Sequence, residues 1–411
     1  MAIQESLILE QVQQPSAHEV PAAVVIQDPR YSVSESVAHE VETMQTEGLD
    51  VAFVDPYDPH AATVEGQQEL DNMAEYLEEL EQASPGAGAE LFLQPEAMKY
   101  WGPLTKRAIA LHPLYRASVA KLLGDGITPD AYERPIFDAT SPDGTIHLMS
   151  AKDVLFEGKT PEKAQKILDS YLSFIGAPID PVSRLFYMAS KDAAGVRTRA
   201  YTAMDMVRDH IGTEESMRGR QDLVSASLAC GAAGPVYELV HSLREQGNDF
   251  SRVILVDKDE MALASASALA EAADVEEVVD IQRRDLLAEE LTDYIEPGSA
   301  DIVDLLGLYE YLPKDFGVML LEKVKQIVRP GGMIVFGNML NERPQQTLFS
   351  DVAKWPALEQ RGVKEVYEMC ERAGFSAEHV TTRVPARQGV YAVYAIKVPE
   401  ASDTNGISVA A

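Results

Sequence analysis

Cysteine is nearly missing from this 411-residue chain: two occur, Cys230 and Cys370, with no Cys-x-x-Cys and no Cys/His grouping. A disulfide framework and a structural zinc site are thereby excluded, and no bound metal is expected. Long apolar runs are missing too. No stretch approaches the 18 or more residues of a membrane span, and the opening "MAIQESLILEQVQQ" lacks the basic start and small-residue cleavage site of a secretory signal. These absences predict a cytoplasmic protein with no membrane insertion. Basic residues are scarce as well. The net charge is −31, and residues 1–90 hold 19 acidic residues against one basic residue, Arg30. Phosphate-backbone affinity needs clustered Lys and Arg, so a nucleic-acid partner is excluded and a small-molecule substrate expected.

What is there falls into zones. Residues 1–65, with "QQPSAHEVPAAVV" and "DPYDPHAATVEG", are polar and acidic with several prolines, and predict a largely disordered segment. Residues 66–220 carry apolar positions three and four apart. They predict a mostly helical cap or substrate region, interrupted by a hairpin at "PIFDATSPDGTIHLMSA". Residues 221–399 alternate between strand and helix patterns, which implies a doubly wound, mainly parallel α/β sheet covered on both faces. Residues 400–411 read as a flexible tail. Nothing in the sequence indicates an oligomeric state.

Within the alternating zone, "SLACGAAGP" (227–235) joins a strand to a helix with almost no side chains. A turn passing under a ligand needs small residues, and the helix behind it presents unpaired N–H groups; a tight turn without a ligand would use the same residues. "VILVDKD" then places Asp257 at the end of the next strand, 26 residues after Gly231. An acidic residue there can accept both hydroxyls of a ribose. Nicotinamide dinucleotide and S-adenosylmethionine each supply one. The loop has fewer glycines than a pyrophosphate site wants, and the later segments show no hydride-transfer constellation.

Residues 223–397 resemble the class I S-adenosylmethionine-dependent methyltransferases. "SLACGAA" stands at their glycine-rich loop, "VDKDEMALASA" at the acidic ribose strand, "RRDLL" at the third strand, "ADIVDLLGLYEYL" at the fourth, and "VRPGGMIVFGNM" at the helix stop and fifth strand. A narrower likeness, in "GLYEYLPKDFGVMLLEKVKQIVRPGGMIVFGNM", is to bacterial methyltransferases that make 3-hydroxypalmitic acid methyl ester.

The resemblance implies a Rossmann-like fold and S-adenosylmethionine as cofactor. It implies Ala229, Cys230, Gly231, Ala232 and Ala233 at the methionine moiety, Asp257 and Lys258 at the ribose, and Asp285 and Leu286 at the adenine, Asp285 serving equally well as a helix N-cap. Gly307 and Leu308 would lie near the sulfur. Ser227 stands where the family usually has an acid, and Ala229 and Ala233 replace glycines, a mild change where φ stays negative. Tyr309, Tyr311, Asn338 and Arg343 are substrate-side candidates, as are Arg197, Arg199 and Tyr201 in a helix ahead of the first strand. Packing and solvated surface are the competing roles for these. The expected activity is methyl transfer to a small-molecule carboxylate or hydroxyl oxygen, with no catalytic residue assigned. The alternatives are an NAD-dependent Rossmann oxidoreductase and a non-catalytic methyltransferase-like binding protein.

Overall fold

The structure is a computed structural model and describes residues 18–28, 30–56, 64–87, 135–140, 146–150, 160, 190–352 and 358–399. It corrects the expectation of a largely disordered N-terminal zone. β1 (His18–Val20), α1 (Ala22–Gln27), α2 (Glu35–Thr46) and β2 (Asp50–Asp55) are ordered elements that extend the main sheet. Acidic composition hides the reason. α2 buries Val37, Ala38, Val41 and Met44, spaced three and four apart, and "VAFV" in β2 is an apolar strand. Ser34 caps α2 by accepting a hydrogen bond from Val37 N at 3.2 Å.

α3 (Val64–Ala83) matches the predicted helix and ends before Pro85 and Gly86. The predicted hairpin is formed by antiparallel β3 (Pro135–Thr140) and β4 (Ile146–Ser150). The helical patterns of "PLTKRAIALHPLYRASVAKLLGD" (103–125) and "TPEKAQKILDSYLSFIGA" (160–177) lie outside the described residues, Thr160 apart, as does the tail at 400–411. α4 (Lys191–Thr213) is capped by Ser190. It packs on the sheet through Ala203, Met204, Val207 and Ile211.

The alternation after residue 221 builds β5 (Leu223–Leu228), α5 (Gly234–Glu245), β6 (Phe250–Asp257), α6 (Glu260–Ala272), β7 (Val279–Arg283), β8 (Ala300–Leu305), α7 (Lys314–Ile327), β9 (Val328–Met339), α8 (Val363–Arg372), β10 (Val380–Pro385) and β11 (Tyr391–Lys397). "VRPGG" begins β9 and does not stop the helix, because α7 has already ended at Ile327. The nine strands run β1-β2-β10-β11-β9-β8-β5-β6-β7, and among them only β1 and β11 oppose the common direction. Strand order reverses between β5 and β8, which opens a crevice at their carboxyl ends.

Strand alternation divides the core. Ala226, Leu228, Ile254, Val256, Val303 and Leu305 face α2, α7 and α8, whereas Leu223, Val253, Leu255, Ile302 and Val335 face α4, α5 and α6. At the amino ends, the carboxylate of Asp301 ties Arg220, Arg329 and the Val224 N–H together, at 2.6, 2.7 and 2.8 Å. The carboxyl ends are thereby left as the face where the loops converge.

Candidate active site

β5 ends at Leu228 and the chain turns sharply through Ala229, Cys230, Gly231, Ala232 and Ala233 into α5. Ala229, Gly231 and Ala233 take left-handed φ values of 54, 55 and 57°. The expectation that the two alanines sit at negative φ is therefore corrected. Each holds a conformation that costs an L-residue about 1 kcal/mol and a glycine nothing. The turn is held from outside: Cys230 N donates to Val256 O at 3.1 Å, and Gly231 N donates to Asp257 Oδ2 at 3.0 Å. Asp257 thus faces the bare loop from the tip of β6. Its Oδ1 accepts from Asp259 N at 2.9 Å, and each oxygen retains a second lone pair for a ligand hydroxyl. Burial first, and then the Asp257 and Asp304 carboxylates, push the Cys230 thiol up, which favours its neutral form.

At the tip of β7, Asp285 is exposed and its Oδ1 caps the following turn by accepting from Leu287 N at 3.0 Å. Leu286 is buried in the core beneath. Lys258 and Gly307 are exposed and Leu308 is half-buried against the core.

On the α4 side of the sheet lies a buried polar cluster that sequence reading caught only in part. Arg199 donates to Glu310 Oε1 at 2.8 Å and lies over the Tyr391 ring at 4.6 Å from its centroid. Tyr391 donates to the same Glu310 oxygen at 3.0 Å, and its hydroxyl is kept protonated by burial and by that carboxylate. Glu310 Oε2 and Arg199 Nε are buried and have no partner among the described residues. Two glycines make this approach of helix to sheet feasible. A Cβ at Gly195 would stand 2.7 Å from Val390 Cβ, and one at Gly337 would stand 2.5 Å from Arg199 Cδ. Arg199 Nη2 is directed toward Gly307, 3.9 Å from where a Cβ would be there. Beside it, Ser227 donates to Asp304 Oδ1 at 2.8 Å across the β5/β8 switch point.

The remaining substrate-side candidates do not converge. Tyr309 is fully buried, bonds Gly317 O and packs on Phe336, so it is a core residue. Asn338 is buried and accepts from Arg361, whose guanidinium also binds the carbonyls of Tyr309 and Leu312. Arg343 pairs internally with Asp192, whose carboxyl is pushed up to about 6 by burial against that pairing. Tyr311 is exposed, and Arg197 and Tyr201, two positions either side of Arg199, lie half-buried on another side of α4. Missed altogether were Asp304, Glu310 and Tyr391. The only sequence signal for Glu310 is its place inside "GLYEYL".

A family model described as "Putative methyltransferase" matches residues 175–397, more than half of the chain. The chain belongs to this methyltransferase family. Its sheet is of the Rossmann-like class I methyltransferase type, and the family match begins ahead of α4, in keeping with that helix being part of the same unit. Among solved structures the chain is similar to a possible exported protein from Bordetella parapertussis, at 16% identity over 81% of this chain and 97% of that one, TM-score 0.48. It is also similar to a SAM dependent methyltransferase from Aquifex aeolicus, at 15% identity over 47% and 89%, TM-score 0.35. A third is the magnesium protoporphyrin IX methyltransferase from Synechocystis PCC 6803 with bound SAH, at 13% identity over 56% and 93%, TM-score 0.39. No described helix is long and apolar enough to cross a membrane, and no metal-binding cluster occurs among the described residues.

Proposed function

We propose that the protein transfers the methyl group of S-adenosylmethionine to a carboxylate or hydroxyl oxygen of a small-molecule acceptor. One observation carries the reading. The Asp257 carboxylate is turned toward the Gly231 backbone at the crevice between the strand tips, where a ribose diol would complete its hydrogen bonding. The residues present fit such a cofactor: a loop without bulky side chains, an acid at the second strand tip and a polar, partly unsatisfied floor.

S-adenosylmethionine, when bound, supplies an already activated methyl group, so the protein's task is to place the acceptor oxygen in line and keep water out. Asp257 would hold the ribose, with Lys258 beside it. Asp285 and Leu286 would meet the adenine, Asp285 through the oxygen that does not cap the turn. The loop from Ala229 to Ala233, with Gly307 and Leu308, would flank the methionine end. Arg199, whose Nη2 faces Gly307, would orient an anionic group, which favours a carboxylate acceptor over one that needs a general base. α4 carries this arginine from the region expected to shape substrate choice.

Titration calorimetry with S-adenosylhomocysteine tests the reading. The wild type is expected to bind, and D257A to lose about tenfold or more, since hydrogen bonds to a charged carboxylate are worth roughly 1.5–3 kcal/mol. Absence of wild-type binding, or binding of NAD in its place, refutes the proposal. Binding without formation of S-adenosylhomocysteine across carboxylic and hydroxy acid acceptors would mark a binding protein and not an enzyme.

A further inference from the structure

Position 227 lacks the acid expected at the start of the loop, yet the structure has a carboxylate one strand away. Ser227 on β5 and Asp304 on β8 are in-register neighbours at the switch point, and such neighbours lie only about 4.8 Å apart. Both side chains are on the α4 face, the face that also carries Arg199, and both are almost fully buried. The Ser227 hydroxyl donates to Asp304 Oδ1 at 2.8 Å and so fixes the carboxylate's orientation. Among the described residues nothing bonds the second oxygen. Arg199 attracts the group without bonding to it; its Nη1 donates to Glu310.

A buried carboxylate served by one neutral hydroxyl is under-compensated and calls for a cationic donor. Burial, opposed by the Ser227 hydroxyl and by Arg199, pushes the Asp304 carboxyl up to about 7, consistent with a missing positive partner. Asp304 is bonded to Ser227, two residues before the Ala229–Ala233 loop, and its charge acts on the Cys230 thiol. We infer that Asp304 anchors the α-ammonium group of the cofactor's methionine part, supplying from the neighbouring strand the carboxylate that position 227 lacks. The inference rests on the proposed use of S-adenosylmethionine. It makes Asp304 a cofactor-binding residue, with Ser227 as the residue that positions it.

The test compares two ligands by calorimetry: S-adenosylhomocysteine, which carries the amino-acid group, and 5′-methylthioadenosine, which keeps the nucleoside and sulfur but lacks it. D304N is expected to weaken S-adenosylhomocysteine about tenfold or more while changing 5′-methylthioadenosine less than about twofold, the signature of one charged hydrogen bond lost. The exchanged variant S227D/D304S keeps one acid and one hydroxyl at the registered pair and is expected to bind S-adenosylhomocysteine within about threefold of wild type. It carries the test alone if D304N does not fold. Equal weakening of both ligands by D304N, or weakening of neither, overturns the anchor while leaving the cofactor reading intact. Loss of S-adenosylhomocysteine binding in a folded exchanged variant also overturns it. A wild type that binds neither ligand refutes the cofactor reading beneath it.

Discussion

Asp304 carries a cost that a single substitution exposes. Its carboxyl is raised from 3.8 to about 7, chiefly by burial, against the Ser227 hydroxyl and the Arg199 charge. A raised acid contributes stability that is fully present below about pH 3.8 and lost as pH rises through about 7. D304N keeps an oxygen for Ser227 and removes the charge. Chemical denaturation should therefore find D304N more stable than wild type at pH 8, by a margin larger than at pH 5 by on the order of a few kcal/mol. A pH-independent difference would contradict this. A site residue that destabilises the free protein is the usual trade between stability and function. Ala229 offers a second, smaller test. Its φ of 54° suits glycine, and A229G is expected to raise stability by up to about 1 kcal/mol, the left-handed penalty less the glycine's extra chain entropy. A clear loss in denaturant titration would show that the half-buried methyl matters more than the backbone.

Among the elements, α8 depends on a distant carboxylate. Its N-cap is Gly362, which offers no side chain, and Glu40 of α2 takes over by accepting from Val363 N at 3.1 Å and Lys364 N at 3.0 Å. A Cβ at Gly362 would stand 2.9 Å from Glu40 Oε1, so the glycine makes room for the cap. E40A should cost about 1 kcal/mol, the usual value of a lost helix cap, measured by thermal or denaturant unfolding; an unchanged midpoint would show that water replaces the carboxylate. α4 depends on close approach in the same way. Gly195 and Gly337 bring it down to the sheet, and that descent delivers Arg199 to Glu310 and Tyr391. The helix was readable from its periodicity; its start at Ser190 and its docking were not, because a glycine's small size does not say which neighbour fills the space.

Over the whole molecule, the N-terminal segment is structural. β2 pairs with β10 from Asp50 to Val54, and Val25, Val37, Val41, Met44, Val51 and Phe53 join the same core as α7 and α8. A variant lacking residues 1–56 would expose the edge of β10 and this apolar surface, so a lowered unfolding temperature and aggregation are expected. Scanning calorimetry with light scattering checks this, and an unchanged profile would show the segment to be dispensable. Composition misdirected the reading there because net charge averages over a zone, while burial is decided residue by residue along an amphipathic face.

By itself the sequence determined the alternating elements from residue 221 onward, the bare turn after β5 and the acid at the tip of β6. Each is a local matter of period, turn chemistry or strand ending, and local signals survive without knowledge of contacts. Only the tertiary structure decided that Asp257 faces Gly231, that Ser227 meets Asp304, that Arg199 is engaged with Glu310 and Tyr391, and that Tyr309, Asn338 and Arg343 turn inward. Those are pairings between residues on different strands and helices, many of them scores of positions apart in the chain. Sheet register and helix docking choose among such partners, and neither is written in any one segment.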